Sequence, residues 1–212
     1  MIEQTTREEG EQIVAASIVN IDRLCSSRED YKQMRLSEND AKLFYATWLP
    51  LLDYVNEKRK VNPNLRNMAS ASSLNPRDVK EVANVLWSEP TLIDDYLRDN
   101  EGLTEQELLS SWKRRVNGKF LLERILKKGA ILISLDDETV YQVSGIISTW
   151  EEMFGSIRLP MMMETTLIPF HDVIISDGLI ERFPISFGGN MTRSFKDIYI
   201  NAKNNNKVKK QL

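Results

Sequence analysis

The stretch 104–147, TEQELLSSWKRRVNGKFLLERILKKGAILISLDDETVYQVSGII, decides the fold of this chain because its pattern changes near Gly118. Before Gly118, apolar residues recur every three or four positions behind polar start signals, which is typical of capped amphipathic helices. After it, short β-branched runs alternate with Gly- and Asp-containing turns, which is typical of strands. The sequence therefore predicts an α+β protein: an irregular N-terminal helical bundle, then a small, strongly bent antiparallel sheet or partly open barrel, then a C-terminal helix.

This change of pattern divides the chain into three segments. Residues 1–117 are predicted to be a helical domain, residues 118–191 a small β-domain, and residues 192–212 a C-terminal helix with a basic tail. The tail contains Lys203, Lys207, Lys209 and Lys210 and no acidic side chain after Asn201. We interpret the tail as a frayed, solubilising end, with a basic arm for an acidic partner as the alternative.

About five helices are expected in the first segment. An apolar stripe runs through residues 11–25, and Ser37 resembles the cap of the next helix, in which Pro50 should cause a kink or a break. Asn75-Pro76 is a helix start, because Asn caps well and Pro suits the first helical position. Residues 104–107 form a capping-box sequence.

The second segment contains two predicted hairpins. Residues 130–134 and 139–147 form the first, and residues 161–168 read as a buried strand. The Asp177-Gly178 pair between two apolar runs predicts the second hairpin, since the favoured two-residue turn needs positive φ at both positions. A final helix, residues 192–203, should point Phe195, Ile198, Tyr199 and Ala202 inward.

Composition favours a protein of the cytoplasm. The chain has 212 residues, a net charge of −3, and a single cysteine, Cys25, so no internal disulfide can form. Cys25 lies on the apolar stripe of residues 11–25, where a small buried side chain is the preferred interpretation. Met1–Gly10 is polar and acidic and does not resemble a signal peptide, and no run reaches the ~18 apolar residues of a membrane helix.

A set of short motifs covers roughly the C-terminal half. It comprises Leu159-Pro160, Pro169-Phe170, Asp177-Gly178-Leu179 and Phe187-Gly188-Gly189. In these motifs the chain resembles a family of uncharacterised bacterial proteins. The resemblance implies a bacterial or phage-like cytoplasmic origin and carries no activity, ligand or site.

Basic residues concentrate where the helical and β segments meet, and this junction is a candidate nucleic-acid site. With the C-terminal lysines they could line a groove for a phosphate backbone. The candidate residues are Lys113, Arg114, Arg115, Lys119, Lys127 and Lys128. Glu123 weakens the patch, and Trp112 reads as a core residue of its helix rather than a base-stacking platform.

The loop before the last helix is a candidate anion site. Gly188 and Gly189 precede the helix, Thr192 is its expected cap, and Arg193 adds positive charge. The pattern matches neither the Walker loop nor the dinucleotide-binding fingerprint, so an ordinary strand-to-helix turn is the preferred interpretation.

Carboxylates offer a weaker hypothesis. Asp136 and its neighbours Asp137 and Glu138 could converge with Glu164, Asp172 and Asp177 on a metal ion, although an exposed turn explains the first three better. His171 lies next to Asp172, but adjacent residues of a strand face opposite sides, so Asp172 is poorly placed to orient an imidazole base. No catalytic residue, metal ligand or cofactor is assigned.

The preferred functional interpretation is a cytoplasmic, non-enzymatic interaction or regulatory protein. Its partner would be another protein or a second copy of the chain, with no membrane involvement. Two alternatives remain open: a nucleic-acid-binding protein that uses the basic junction, and a carboxylate- or metal-dependent hydrolase.

Overall fold

The structure is a computed structural model that describes residues 12–15 and 35–212. Within them, the helices are α1 Glu38–Arg59, α2 Pro76–Ser88, α3 Thr91–Asp99, α4 Gln106–Ser111, α5 Trp150–Phe154 and α6 Gly189–Asn204. The strands are β1 Gln12–Ala15, β2 Val116–Leu126, β3 Gly129–Ser134, β4 Val140–Ser144, β5 Met161–Phe170, β6 Val173–Ser176 and β7 Leu179–Arg182.

The strands form one mixed sheet that bends back on itself. β2 pairs with β3 and β5, β3 pairs with β4, and β4 pairs with β6, which returns to β5. Nearer its start, at Met163 and Glu164, β5 also pairs with β7, and β7 pairs with β1. The predicted α+β class and strong bend are confirmed. The sheet is partly ring-like but not a barrel, and it is mixed rather than antiparallel because β4 and β6 run parallel.

The hairpin predicted at Asp177-Gly178 is wrong. β6 and β7 both run antiparallel to β5, with Leu167 opposite Ser176 and Glu164 opposite Glu181. Between these two pairs, four residues on the β6–β7 side (177–180) lie opposite two residues of β5 (165–166). Asp177-Gly178 therefore belongs to a bulge within one nearly continuous strand. The tight turn lies at His171-Asp172, between β5 and β6, where His171 has a φ of 48°.

Three apolar clusters hold the layers together. The largest joins α1–α4 to the β5–β7 side of the sheet through Ile168, Phe170, Ile175 and Leu179. A second lies on the inner face of the bend, with residues of β2–β7 and of α5. The third packs α6 on the opposite face of β2, β3 and β4. The division at 117/118 and 191/192 stays a prediction.

Two predicted helix starts, at Ser37 and Asn75, are confirmed. The Ser37 and Asn75 side chains accept hydrogen bonds from the Asp40 and Arg77 amides. α1 continues through Pro50, so the predicted break does not occur there. At residues 104–107 the capping box is absent, since the cap of α4 is Glu105 without a side-chain bond. A complete capping box instead begins α5, between Thr149 and Glu152.

The N-terminal prediction is corrected in part. Gln12–Ala15 is a strand that pairs with β7, rather than the first turn of a helix. The remainder of the predicted helix, including Cys25, lies outside the described residues. Among the described helices, none combines the length and apolar character that crossing a bilayer requires.

Candidate interaction site at the C-terminal cleft

Helix α6 covers the outer face of β2, β3 and β4. Phe195, Ile198, Tyr199 and Ala202 pack in the third apolar cluster, which confirms the predicted inward face. The helix begins at Gly189, so Thr192 lies in its first turn and is not the cap. Its C-terminal end brings Lys203 close to the chain that follows.

The C-terminal segment, residues 205–212, is anchored to the sheet. The Lys209 amide donates to the Val140 carbonyl at 2.8 Å, and the Gln142 amide donates to the Lys209 carbonyl at 2.9 Å. Lys209 thereby continues the sheet in parallel beside β4. Leu212 packs against the inner cluster. The expectation of a frayed tail is therefore wrong, because backbone pairing and an apolar contact fix the segment.

Between this segment, α6 and the sheet lies an open cleft of about 830 Å³, which we call the C-terminal cleft. Strands, helix, segment and the β5–β6 turn all contribute to its lining. The lining residues are Leu126, Ile131, Gln142, Asp172, Tyr199, Lys203, Asn206, Val208, Lys210 and Gln211. The cleft combines apolar side chains, amides and lysines in one place.

Positive charge surrounds the cleft. Lys203 and Lys210 line it and are exposed. Lys127 and Lys128 directly follow Leu126 in sequence, and the side chain of Gln142, another lining residue, donates to the Lys128 carbonyl at 2.9 Å. Two lysines thus line the cleft, and the backbone of Lys128 contacts one of its lining residues.

Two acidic side chains temper this charge. Arg124 lies over the Tyr199 ring, 4.3 Å from its centroid, and pairs with Glu123, whose hydrogen bond raises the pKa of the guanidinium. Asp172 is the carboxylate among the lining residues. The Tyr199 ring is only 6% exposed, so it offers no free face for stacking a base.

The structure does not bring the predicted basic junction together. Lys113 pairs with Asp94 at 2.6 Å. Arg115 donates two hydrogen bonds, at 3.0 and 2.6 Å, to the Trp87 carbonyl in the last turn of α2, and burial lowers the pKa of its guanidinium. The positive charge of Arg115 thus stabilises the C-terminal end of α2. Arg114 is exposed beside them.

The remaining junction residues lie at opposite ends of β2. Lys119 holds its ammonium 5.2 Å from the Phe183 ring centroid. Leu126, at the cleft, lies seven residues farther along the strand, or about 23 Å at the rise of a β-strand. Of the six predicted residues, only Lys127 and Lys128 border the cleft. The predicted groove includes the C-terminal lysines, and two of them, Lys203 and Lys210, line the cleft.

The predicted anion loop is at the other end of α6. Gly188 and Gly189 are exposed, with open space where a side chain would be, and the Thr192 amide donates to the Gly188 carbonyl at 3.0 Å. Arg193 is also exposed. From Gly189 to Lys203 the helix rises about 21 Å, so this loop and the C-terminal cleft are separate sites.

The carboxylates of the hydrolase hypothesis are dispersed. Asp137 accepts from the amide and hydroxyl of Thr139 in the β3–β4 turn, which lowers the pKa of its carboxyl. His171 approaches Asp40 at 3.7 Å from the β5–β6 turn. Within the described ranges, no three His, Cys, Asp or Glu side chains are grouped as a metal would need.

Asp177 is a residue whose environment sequence reasoning missed. Its carboxylate is fully buried and accepts from the Trp87 indole at 2.8 Å, the Leu179 amide at 3.1 Å and the Thr165 hydroxyl at 3.3 Å. Burial raises the pKa of this carboxyl, and the charge of the buried Lys80 opposes that rise. The bulge therefore places the Asp177 carboxylate where it forms a hydrogen bond between the sheet and α2 of the helical layer.

Comparison of the chain with protein families, with curated proteins and with solved structures found no match.

Proposed function

We propose that this chain is a non-enzymatic interaction protein that binds an acidic partner in the C-terminal cleft. One observation carries the proposal: Lys203 of α6 and Lys210 of the C-terminal segment line one concave surface, and the Lys127-Lys128 turn is hydrogen-bonded to Gln142 at that surface. Convergent like charge on a concave surface attracts ligands of the opposite charge.

The order of the C-terminal segment supports this proposal. If the lysines lay on a frayed end, a partner would have to order them, at a cost of up to about 1.5–2 kcal/mol per side chain and more for the backbone. Pairing of Lys209 with β4 fixes the backbone before any partner arrives. The cleft is therefore preorganised for binding.

A nucleic acid is the alternative partner, because lysines also contact phosphates. The mixed lining favours a protein, since the half-buried Leu126 and Val208 provide apolar surface and the Tyr199 ring is covered. The hydrolase alternative and the cytoplasmic location stay predictions of the sequence.

Poly-glutamate binding to charge-reversed variants tests the proposal. Lys203→Glu with Lys210→Glu removes two attractions and adds two repulsions at the cleft. At roughly 0.5 kcal/mol each, these should weaken binding about 30-fold. Fluorescence anisotropy with a labelled poly-glutamate of defined length measures the change, and the affinity of the original chain should fall as salt is added.

Arg66→Glu with Arg114→Glu is the matched control, because it changes the net charge equally at exposed positions outside the cleft. The control should weaken binding less than threefold. Equal weakening by both variants would show that poly-glutamate senses only overall charge, and the proposal would fail.

A further inference from the structure

We infer that the occupant of the C-terminal cleft is an extended protein segment in which acidic and apolar side chains alternate. This inference rests on the proposed function and specifies the chemistry of the partner. It draws on three features of the cleft: its lining, the exposure of its aromatic ring, and the backbone of the C-terminal segment.

The lining pairs apolar with basic surface. The half-buried Leu126 and Val208 supply aliphatic carbon, while Lys203 and Lys210 supply charge around it. A strand presents successive side chains to opposite sides, so an alternating segment can place apolar groups on the aliphatic floor and carboxylates toward the lysines at the rim. A uniformly acidic segment would leave the apolar part of the cleft unused.

The backbone of the C-terminal segment offers a second point of attachment. Lys209 directs both its amide and its carbonyl to β4. In extended chain, the amides and carbonyls of the flanking residues then point away from β4. Among the described residues, neither the Val208 amide nor the Lys210 amide has a backbone acceptor. A peptide backbone added alongside could accept from these donors, as in other cases of strand addition.

A nucleic acid fits these features less well. The cleft carries one carboxylate, Asp172, and its aromatic ring lies beneath Arg124. Single strands bound without sequence preference usually stack bases on exposed aromatic side chains. The free amides are also matched to the regular carbonyls of an extended peptide.

Three labelled probes of equal length test the inference by fluorescence anisotropy. The first peptide alternates Glu with Val, the second alternates Glu with Ser, and the third probe is an oligothymidylate. Each is titrated against the full chain, the Lys203→Glu/Lys210→Glu variant and the Arg66→Glu/Arg114→Glu control. We expect the Glu–Val peptide to bind at least tenfold more tightly than the Glu–Ser peptide and the oligothymidylate.

The outcomes separate the two proposals. If the Glu–Ser peptide binds as tightly as the Glu–Val peptide, and the cleft variant still loses binding, the alternating segment is refuted while the acidic-partner function stands. If the oligothymidylate binds as tightly, the alternating segment is refuted and a nucleic acid replaces the protein as the partner. If the cleft variant and the control lose binding equally, or no probe binds, both proposals fail. Tenfold preference for Glu–Val that vanishes only in the cleft variant supports both.

Discussion

Replacing Trp87 with Phe should destabilise the protein more than the same replacement at Trp112. Both side chains are almost fully buried. The Trp87 indole donates to Asp177 at 2.8 Å, whereas the Trp112 indole nitrogen is buried with no acceptor among the described residues. The comparison therefore isolates the hydrogen bond between Trp87 of α2 and Asp177 in the bulge.

The magnitude follows from what each substitution removes. Both lose similar ring volume, so that cost largely cancels. Trp87→Phe also removes a hydrogen bond to a carboxylate, which contributes about 1.5–3 kcal/mol, and Trp112→Phe removes a buried donor that has no partner. We expect Trp87→Phe to cost about 2 kcal/mol more, which lowers the melting temperature by a further ~4–8 °C in a chain of this size.

Urea unfolding followed by far-ultraviolet circular dichroism measures the difference, because this probe does not depend on tryptophan fluorescence. Equal m-values would show that the free energies are comparable. A difference below about 0.5 kcal/mol between the two variants would refute the role of the Trp87–Asp177 bond. Trp48→Phe is a second control, since the Trp48 indole is also buried without an acceptor in the described structure.

Three further predictions concern pH, a turn and the C-terminal segment. Burial raises the pKa of Asp177 above its unfolded value of ~3.9, so the contribution of Asp177 to the free energy of unfolding is present below that pH and is lost as pH rises through the folded pKa. Urea titrations at several pH values should show this decline in the original chain and not in Asp177→Asn. Parallel pH curves for the two proteins would contradict this prediction. Gly129→Ala should lower the free energy of unfolding in urea by more than ~2 kcal/mol, because φ is 113° and a Cβ would overlap the Val143 carbonyl. Gly102→Ala, with φ at 98° and open space around it, should lower that free energy by about 1 kcal/mol. Equal losses would refute the steric reason. Ending the chain at Asn206 removes both backbone bonds of Lys209 and should lower stability by about 2 kcal/mol in the same assay, whereas no change would contradict the anchored segment.

Local chemistry made the helix starts and one hairpin predictable. Asn75-Pro76 and Ser37 act as caps because their side chains satisfy amides two or three residues away. Residues 130–134 pair with β4 as the alternating pattern indicated. Each of these features depends on neighbours in sequence, which is why a pattern of residues is enough to reveal it.

Long-range pairing made the other features unpredictable. Asp177-Gly178 has the sequence of a tight turn, but both flanking strands find their partner on β5, so the pair bulges and its carboxylate turns inward. A run of apolar residues on both sides of Asp177 was the available clue to burial. For Thr104 the helix starts later than its motif suggests, because Glu105 takes the cap position.

The candidate site was predictable only in fragments. Clustering in sequence favoured one basic junction, but the rise of β2 separates Lys119 from Lys127, and Asp94 engages Lys113. Lys210 lines the same cleft as Leu126, the residue before Lys127, because Lys209 pairs with β4. That pairing is a tertiary contact, and nothing in the local pattern of residues 205–212 indicates it.

Chemical-shift mapping shows directly where an acidic partner binds. The ¹⁵N-labelled chain is titrated with the alternating Glu–Val peptide, and amide shifts are followed by heteronuclear NMR. We expect the largest shifts in residues 126–131, at Gln142 and in residues 203–211. Largest shifts at residues 113–119 or 188–193 would instead place acidic ligands at the basic junction or the glycine loop, and would refute binding in the C-terminal cleft.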